Sequence, residues 1–160
     1  MTPESFRPQP VDILLAKPGP YSERFAQQLN QLYPDLANCL HELPRLHSSI
    51  KRHAVAALLK FACQAQNVAN TELGRAGLLA VPCDWLVAAL PPIARETLDL
   101  SDEWELRRLL EMLCLLDRQL MLEFAEDALR SSDREIREAA QDMIALADEH
   151  SEDAPGEPRQ

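Results

Sequence analysis

Apolar residues recur at intervals of three and four along most of this 160-residue chain, a spacing that predicts helices almost throughout. Three segments share one template. The first carries Ile50, His53, Ala54, Ala57, Leu58 and Phe61, the second Leu106, Leu109, Leu110, Leu113 and Cys114, and the third Ile136, Ala139, Ala140, Met143, Ile144 and Ala147. Each follows the series i, i+3, i+4, i+7, i+8, which gathers the apolar groups on one side of a helix and predicts that this side lies on a core. In each a cation stands directly after the first apolar residue, at Lys51, Arg107 and Arg137. Asp102 with Glu105, and Ser132 with Glu135, place a capping side chain three residues before a carboxylate at the head of two of these stripes. The three helices are therefore expected to begin near Ser48, Asp102 and Ser132, and to pack side by side in one right-handed stack, because a shared apolar face must find cover.

Upstream of each stripe lies another amphipathic stretch. Phe25, Leu29, Leu32, Leu36, Leu40 and Leu43 run across Pro34, Trp85 to Leu98 run across Pro91 and Pro92, and Met121, Phe124, Ala125, Ala128 and Leu129 make a shorter one. A further short helix is expected from Thr71 to Ala80. With only four glycines and no run of alternating polar and apolar residues, strands are not expected. The fold class is thus all-α, as stacked antiparallel helix pairs in a solenoid or an irregular bundle of about six to eight helices. The organisation expected is a flexible proline-rich arm over 1–20, one helical domain over 21–149 and a disordered acidic tail over 150–160. Pro3, Pro8, Pro10, Pro18 and Pro20 remove backbone donors from the arm, and the tail holds nothing apolar larger than alanine.

The stretch FAEDALRSSDREIREAAQDMIALA, residues 124–147, resembles a HEAT or armadillo-like helical repeat: a first helix, a short turn with Asp133, then Ile136 with Arg137 and the small pair Ala139 and Ala140. Weaker resemblances lie over 45–62 and 100–117. The resemblance implies that Asp133 and Arg137 join a ladder between neighbouring repeats. The stripes begin 56 and then 30 residues apart, so the repeat count stays open.

Charge changes the picture most. Residues 1–95 hold nine Lys or Arg against seven Asp or Glu, whereas residues 96–160 hold seven against nineteen, so the overall −10 is concentrated in the second part. This balance repels a phosphate backbone and argues against nucleic acid as a partner. Between Leu43 and Thr71 the strip of Arg45, Lys51, Arg52 and Lys60 contains no carboxylate. Cys39, Cys63, Cys83 and Cys114 form no CxxC pair and sit among apolar neighbours, as buried thiols of a reducing, cytoplasmic compartment do. The most apolar window, Leu78 to Ala94, is interrupted by Pro82, Asp84, Pro91 and Pro92 and reads as core rather than membrane. Val11 to Ala16 is too short for the apolar region of a signal peptide.

Candidate chemistry is sparse. His41, His47 and His53 are six apart, a rotation of about 240° on a helix, so they do not converge on one metal. His53, within a stripe, is expected to be half-buried and hydrogen-bonded. Cys83 is expected to be packed, with Asp84 beside it to dull its reactivity. No GxSxG elbow and no glycine-rich phosphate loop occurs. No catalytic, cofactor or metal residue is assigned, and a non-enzymatic protein interaction module of adaptor, assembly-factor or chaperone type is expected, using an acidic helical surface to bind a basic protein. Its contact residues are expected at Glu103, Trp104, Glu111, Glu123, Glu126 and Asp127. The alternatives are an immunity protein that neutralises a toxin and, for the basic strip, a nucleic-acid enzyme like the HEAT-like DNA glycosylases.

Overall fold

A computed structural model describes residues 1–150. Eight α-helices and three short 3₁₀ helices account for the ordered elements: a 3₁₀ turn at Pro3–Phe6, α1 Val11–Ala16, α2 Pro20–Leu32, 3₁₀ turns at Leu36–Asn38 and Leu40–Arg45, α3 Ser48–Gln64, α4 Val68–Ala80, α5 Cys83–Thr97, α6 Glu103–Leu116, α7 Arg118–Leu129 and α8 Arg134–Glu149. No strand occurs among the described residues, and the fold is all-α. No helix among them is long and apolar enough to cross a membrane. Of the tail expected over 150–160, His150 closes α8 with its Nδ1 2.9 Å from the Leu146 carbonyl, and the rest lies outside the described residues.

Three side chains set the starts of the template helices. His47 Nδ1 accepts from the Ser49 amide at the head of α3, and Asp102 accepts from the Glu105 amide at the head of α6. The α8 cap is Asp133, one residue later than Ser132, because its carboxylate reaches the Glu135 amide at 2.8 Å. The expected Asp102–Glu105 capping box forms by half, and the Ser132–Glu135 box is replaced by the Asp133 cap. Glu105 turns away from Asp102 and accepts instead from the Asp99 amide and from Gln64, tying the α5–α6 loop to the end of α3.

The stripes meet as expected in one respect: α3 packs against α6 and α6 against α8, so the three lie in a row around a single core. In α8 the stripe is Ile136, Ala139, Ala140, Met143 and Ala147, and in α6 it is Leu106, Leu109, Leu110 and Leu113, all buried. The α3 stripe differs. His53 is exposed, its Nδ1 2.7 Å from the Ser49 carbonyl, while Val55, Leu59, Ala62 and Cys63 are buried as well. Four helices, α2, α4, α5 and α6, pack around α3, so its second half is covered on nearly every side and a one-sided pattern understates its burial.

The long interval between the first two stripes is filled by α4, which lies against α3 at close range. A Cβ on Gly74 would come within 2.7 Å of the Ala62 Cα and the Phe61 carbonyl carbon, so only glycine lets the two backbones approach this far. The leucine stretch around Pro34 is not one helix. Tyr33, preceding the proline, is extended at φ −156° and ψ 139°, Asp35 is left-handed at φ 59°, and the chain continues as two 3₁₀ turns. By contrast α5 runs through Pro91 and Pro92 without a break. The first twenty residues, expected as a loose arm, are folded onto the domain: Leu14 is buried, Phe6 packs against the core, α1 rests on α2 and α4, and the first 3₁₀ turn rests on α6.

Candidate interaction surface

The six residues expected to bind a partner separate into three settings. Glu103 pairs with Arg107, which also reaches Asp142 at 3.0 Å. Asp127 is held between Arg95 and Arg130. Glu111 is half-buried in α6 and pairs with Arg75 of α4, a residue only 9% exposed. Glu123 and Glu126 stand exposed on α7 with no bond to another described residue. Trp104 is 57% exposed, and its ring is covered on one side by the Arg108 guanidinium, 4.6 Å from the ring centre.

Acidity is largely consumed within the fold. Of the sixteen carboxylates between residues 96 and 150, Glu96, Glu103, Glu111, Asp127, Glu138, Asp142 and Asp148 pair with arginine. Asp102, Asp117 and Asp133 cap helices, and Asp99 and Glu105 accept bonds in one loop. Glu123, Glu126, Glu135 and Glu149 are left without a bond to another described residue. The ladder implied for Asp133 and Arg137 does not form: Asp133 is the α8 cap, and Arg137 donates to the carbonyls of Ser131 and Ser132, 2.8 Å from each. The basic strip is similarly divided, with Arg52 paired to Glu96 and Lys51 lying 5.8 Å from the centre of the Trp85 ring.

Trp104 belongs with another group of residues. It lines a cleft of about 320 Å³ whose walls are the first 3₁₀ turn with Arg7 and Pro8, the start of α4, and the first half of α6. Val68, 72% exposed at the first position of α4, lines it too. The base is polar. Arg75 Nη1 lies 3.4 Å from the Phe6 carbonyl, its Nη2 pairs with Glu111, and its Nε is buried with no acceptor. Arg108 donates to the hydroxyl of the buried Thr71. Burial, and then the charge of Arg75, hold the Arg108 guanidinium below its ordinary pKa. A second cleft, of about 200 Å³, adjoins at Glu72 and is lined by Tyr21, Leu14 and Leu73. Three of the large exposed apolar side chains, Tyr21, Val68 and Trp104, therefore line two clefts on either side of the first turn of α4.

Sequence reading singled out Trp104 but not its neighbours. Val68 stands alone between Asn67 and Ala69 with no periodic partner on its exposed side, and Tyr21 falls in the segment read as an arm. Elsewhere, Cys63 and Cys114 are shielded, and burial pushes their thiols up to about 12 and about 11. Cys83 is exposed rather than packed, because it opens α5 on the outer side. No group of three or more metal-ligating side chains occurs among the described residues. No protein-family model, curated protein or solved structure matches the chain.

Proposed function

We propose that this protein is a non-enzymatic interaction module whose recognition face is the first turn of α4 with its two flanking clefts. The supporting observation is the grouping of Tyr21, Val68 and Trp104 there. A soluble surface scatters large apolar side chains singly, whereas an aromatic pair around an aliphatic knob, set over clefts, has the composition of an interface centre with a polar rim. Trp104 is the expected anchor, since it presents a large rigid area already oriented by Arg108.

A second reading places the partner on α7 and makes it basic. It draws on Glu123 and Glu126, which are exposed and unpaired among the described residues, and on the −10 charge that favours approach by a cation.

Photo-crosslinking separates the two. A benzophenone amino acid is placed in turn at positions 68, 123 and 135 of the full chain, expressed in cells that contain it naturally. The first reading expects one discrete adduct from position 68, abolished by Trp104→Ala. An adduct from position 123 alone, weakened by moderate salt, favours the second. Equal, smeared labelling from all three sites removes both.

A further inference from the structure

In a protein of formal charge −10, the lining of the Trp104 cleft carries four arginines and two glutamates. Three of the arginines have carboxylates of their own: Arg7 has Glu4, Arg107 has Glu103 and Asp142, and Arg75 has Glu111. Arg108 has only the neutral Thr71 hydroxyl as a hydrogen-bond acceptor. Beside it the nine-tenths buried Arg75 keeps an Nε–H with no acceptor. An unmet buried donor costs free energy, and a guanidinium meets a carboxylate through two parallel bonds. Arg75 and Arg108 have Glu111 between them as a shared carboxylate, and burial first, then the charge of Arg75, lower the Arg108 pKa.

The apolar part of the cleft adjoins this charge. Trp104, 57% exposed, has one face on Arg108, and Val68 lines the same cleft. The lining comes from α4, α6 and the amino-terminal turn, and it sets guanidinium groups and apolar side chains in one cleft, which suits a carboxylate carried by the same residue as an apolar side chain, as at the end of a chain. Glu72 on the rim disfavours a second negative charge.

We infer that the cleft binds the terminal carboxylate of a partner polypeptide that ends in an apolar residue, with Arg108 and Arg75 holding the carboxylate and Trp104 with Val68 holding the last side chain. Carboxylate capture by a prepared set of donors is a recurrent mode of peptide recognition. The inference rests on the reading of this face as a partner-binding surface and names what that surface receives.

The test uses the full chain labelled with ¹⁵N, and follows the arginine Nε–H and tryptophan indole resonances during titration with acetyl-Ala-Ala-Leu bearing a free carboxylate. The expected result is saturable shifts of Arg108, Arg75 and Trp104. Amidation of the terminus is expected to weaken binding at least tenfold, as is Arg108→Gln, checked to melt as the parent does. Arg108→Lys, which keeps the charge but loses the fork, is expected to fall between the two. Equal binding of the amidated peptide overturns the inference, as does equal binding of acetyl-Leu-Glu-Leu-amide, whose carboxylate is internal. Shifts produced by inorganic phosphate and by neither peptide also overturn it, leaving a general anion site. A crosslinked partner at position 68 together with inert peptides sinks this inference alone, whereas peptide binding with no crosslinked partner sinks the protein-partner reading and leaves the site.

Discussion

Arg108 joins Trp104 to Thr71: its guanidinium covers the indole ring at 4.6 Å while donating to a hydroxyl on the neighbouring helix α4. One side chain thereby links the single aromatic ring of α6, which is exposed, to the single hydroxyl of α4, which is buried. The ring contributes little to the core, so its position is informative about use rather than stability. Trp104→Ala is expected to change the unfolding free energy by less than about 1 kcal/mol, the scale of an exposed cation–π contact. Urea denaturation measures this, and a loss of several kilocalories would make Trp104 a structural residue.

Glu111 is expected to behave in the opposite way. Its pair with Arg75 links α6 to α4 where both side chains are mostly out of water, 21% and 11% exposed. Glu111→Ala leaves a buried guanidinium without its carboxylate, and a loss of about 3 kcal/mol is expected. Replacing both residues, by Arg75→Met with Glu111→Leu, is expected to restore most of that loss, because the cost lies in the unpaired charge. Denaturant midpoints of the single and double variants check it. An additive double variant would show that the pair is not coupled.

The contact between α3 and α4 makes Gly74 the most tightly enclosed of the described glycines. Gly74→Ala is expected to unfold the protein or to cost more than the about 2–5 kcal/mol typical of a truncated core side chain, which Leu110→Ala and Met143→Ala supply as references. All three sites are buried, but the two truncations leave space while the added methyl meets backbone that cannot yield. Thermal melts of the three variants rank them, and a Gly74→Ala protein as stable as its parent would show that α4 sits further from α3.

Much of this fold was legible in the sequence, for a reason that also defines what was not. In α6 and α8 one face meets the core and the other meets water, so Leu106 to Leu113 and Ile136 to Ala147 repeat at the helical period and announce both helix and buried side. In α3 several helices converge, so burial spreads around the helix and His53, in register with the stripe, falls outside it. The segment around Tyr33 is governed by a local rule, the exclusion of helical geometry before proline, which outweighs the leucine period. The prolines of the first twenty residues removed hydrogen bonds from view but not the burial of Leu14. The candidate site was the least legible part. A run of carboxylates reports net charge, and only folded geometry reports that Glu103, Glu111 and Asp127 are answered by arginines from elsewhere in the chain, while Arg108 lacks a carboxylate of its own.

The last expectation concerns alkaline stability. Burial pushes the Cys63 thiol from an ordinary value of 9.0 to about 12 in the folded protein, because the apolar contacts of α3 disfavour the thiolate. An unfolded chain releases that proton near its ordinary value, so above pH 9 the unfolded state binds fewer protons than the folded one, and rising pH favours unfolding. The contribution of Cys63 is complete below pH 9 and declines towards pH 12, at roughly 1.4 kcal/mol per pH unit for a single group. Cys114, pushed to about 11, adds a smaller loss of the same sign over the lower part of that window. Denaturation curves from pH 8 to 11 are therefore expected to show falling stability, with a shallower slope in Cys63→Ala than in the parent. Parallel slopes for the two proteins would mean that this thiol ionises in the folded state as it does in water. Thiol modification offers an independent view at pH 8. Cys83, exposed at the start of α5, is expected to react fastest with a water-soluble disulfide reagent, while Cys63 stays protected until the chain unfolds. Rapid labelling of Cys63 in the folded protein would mean that α3 and its neighbours open far more often than their packing allows.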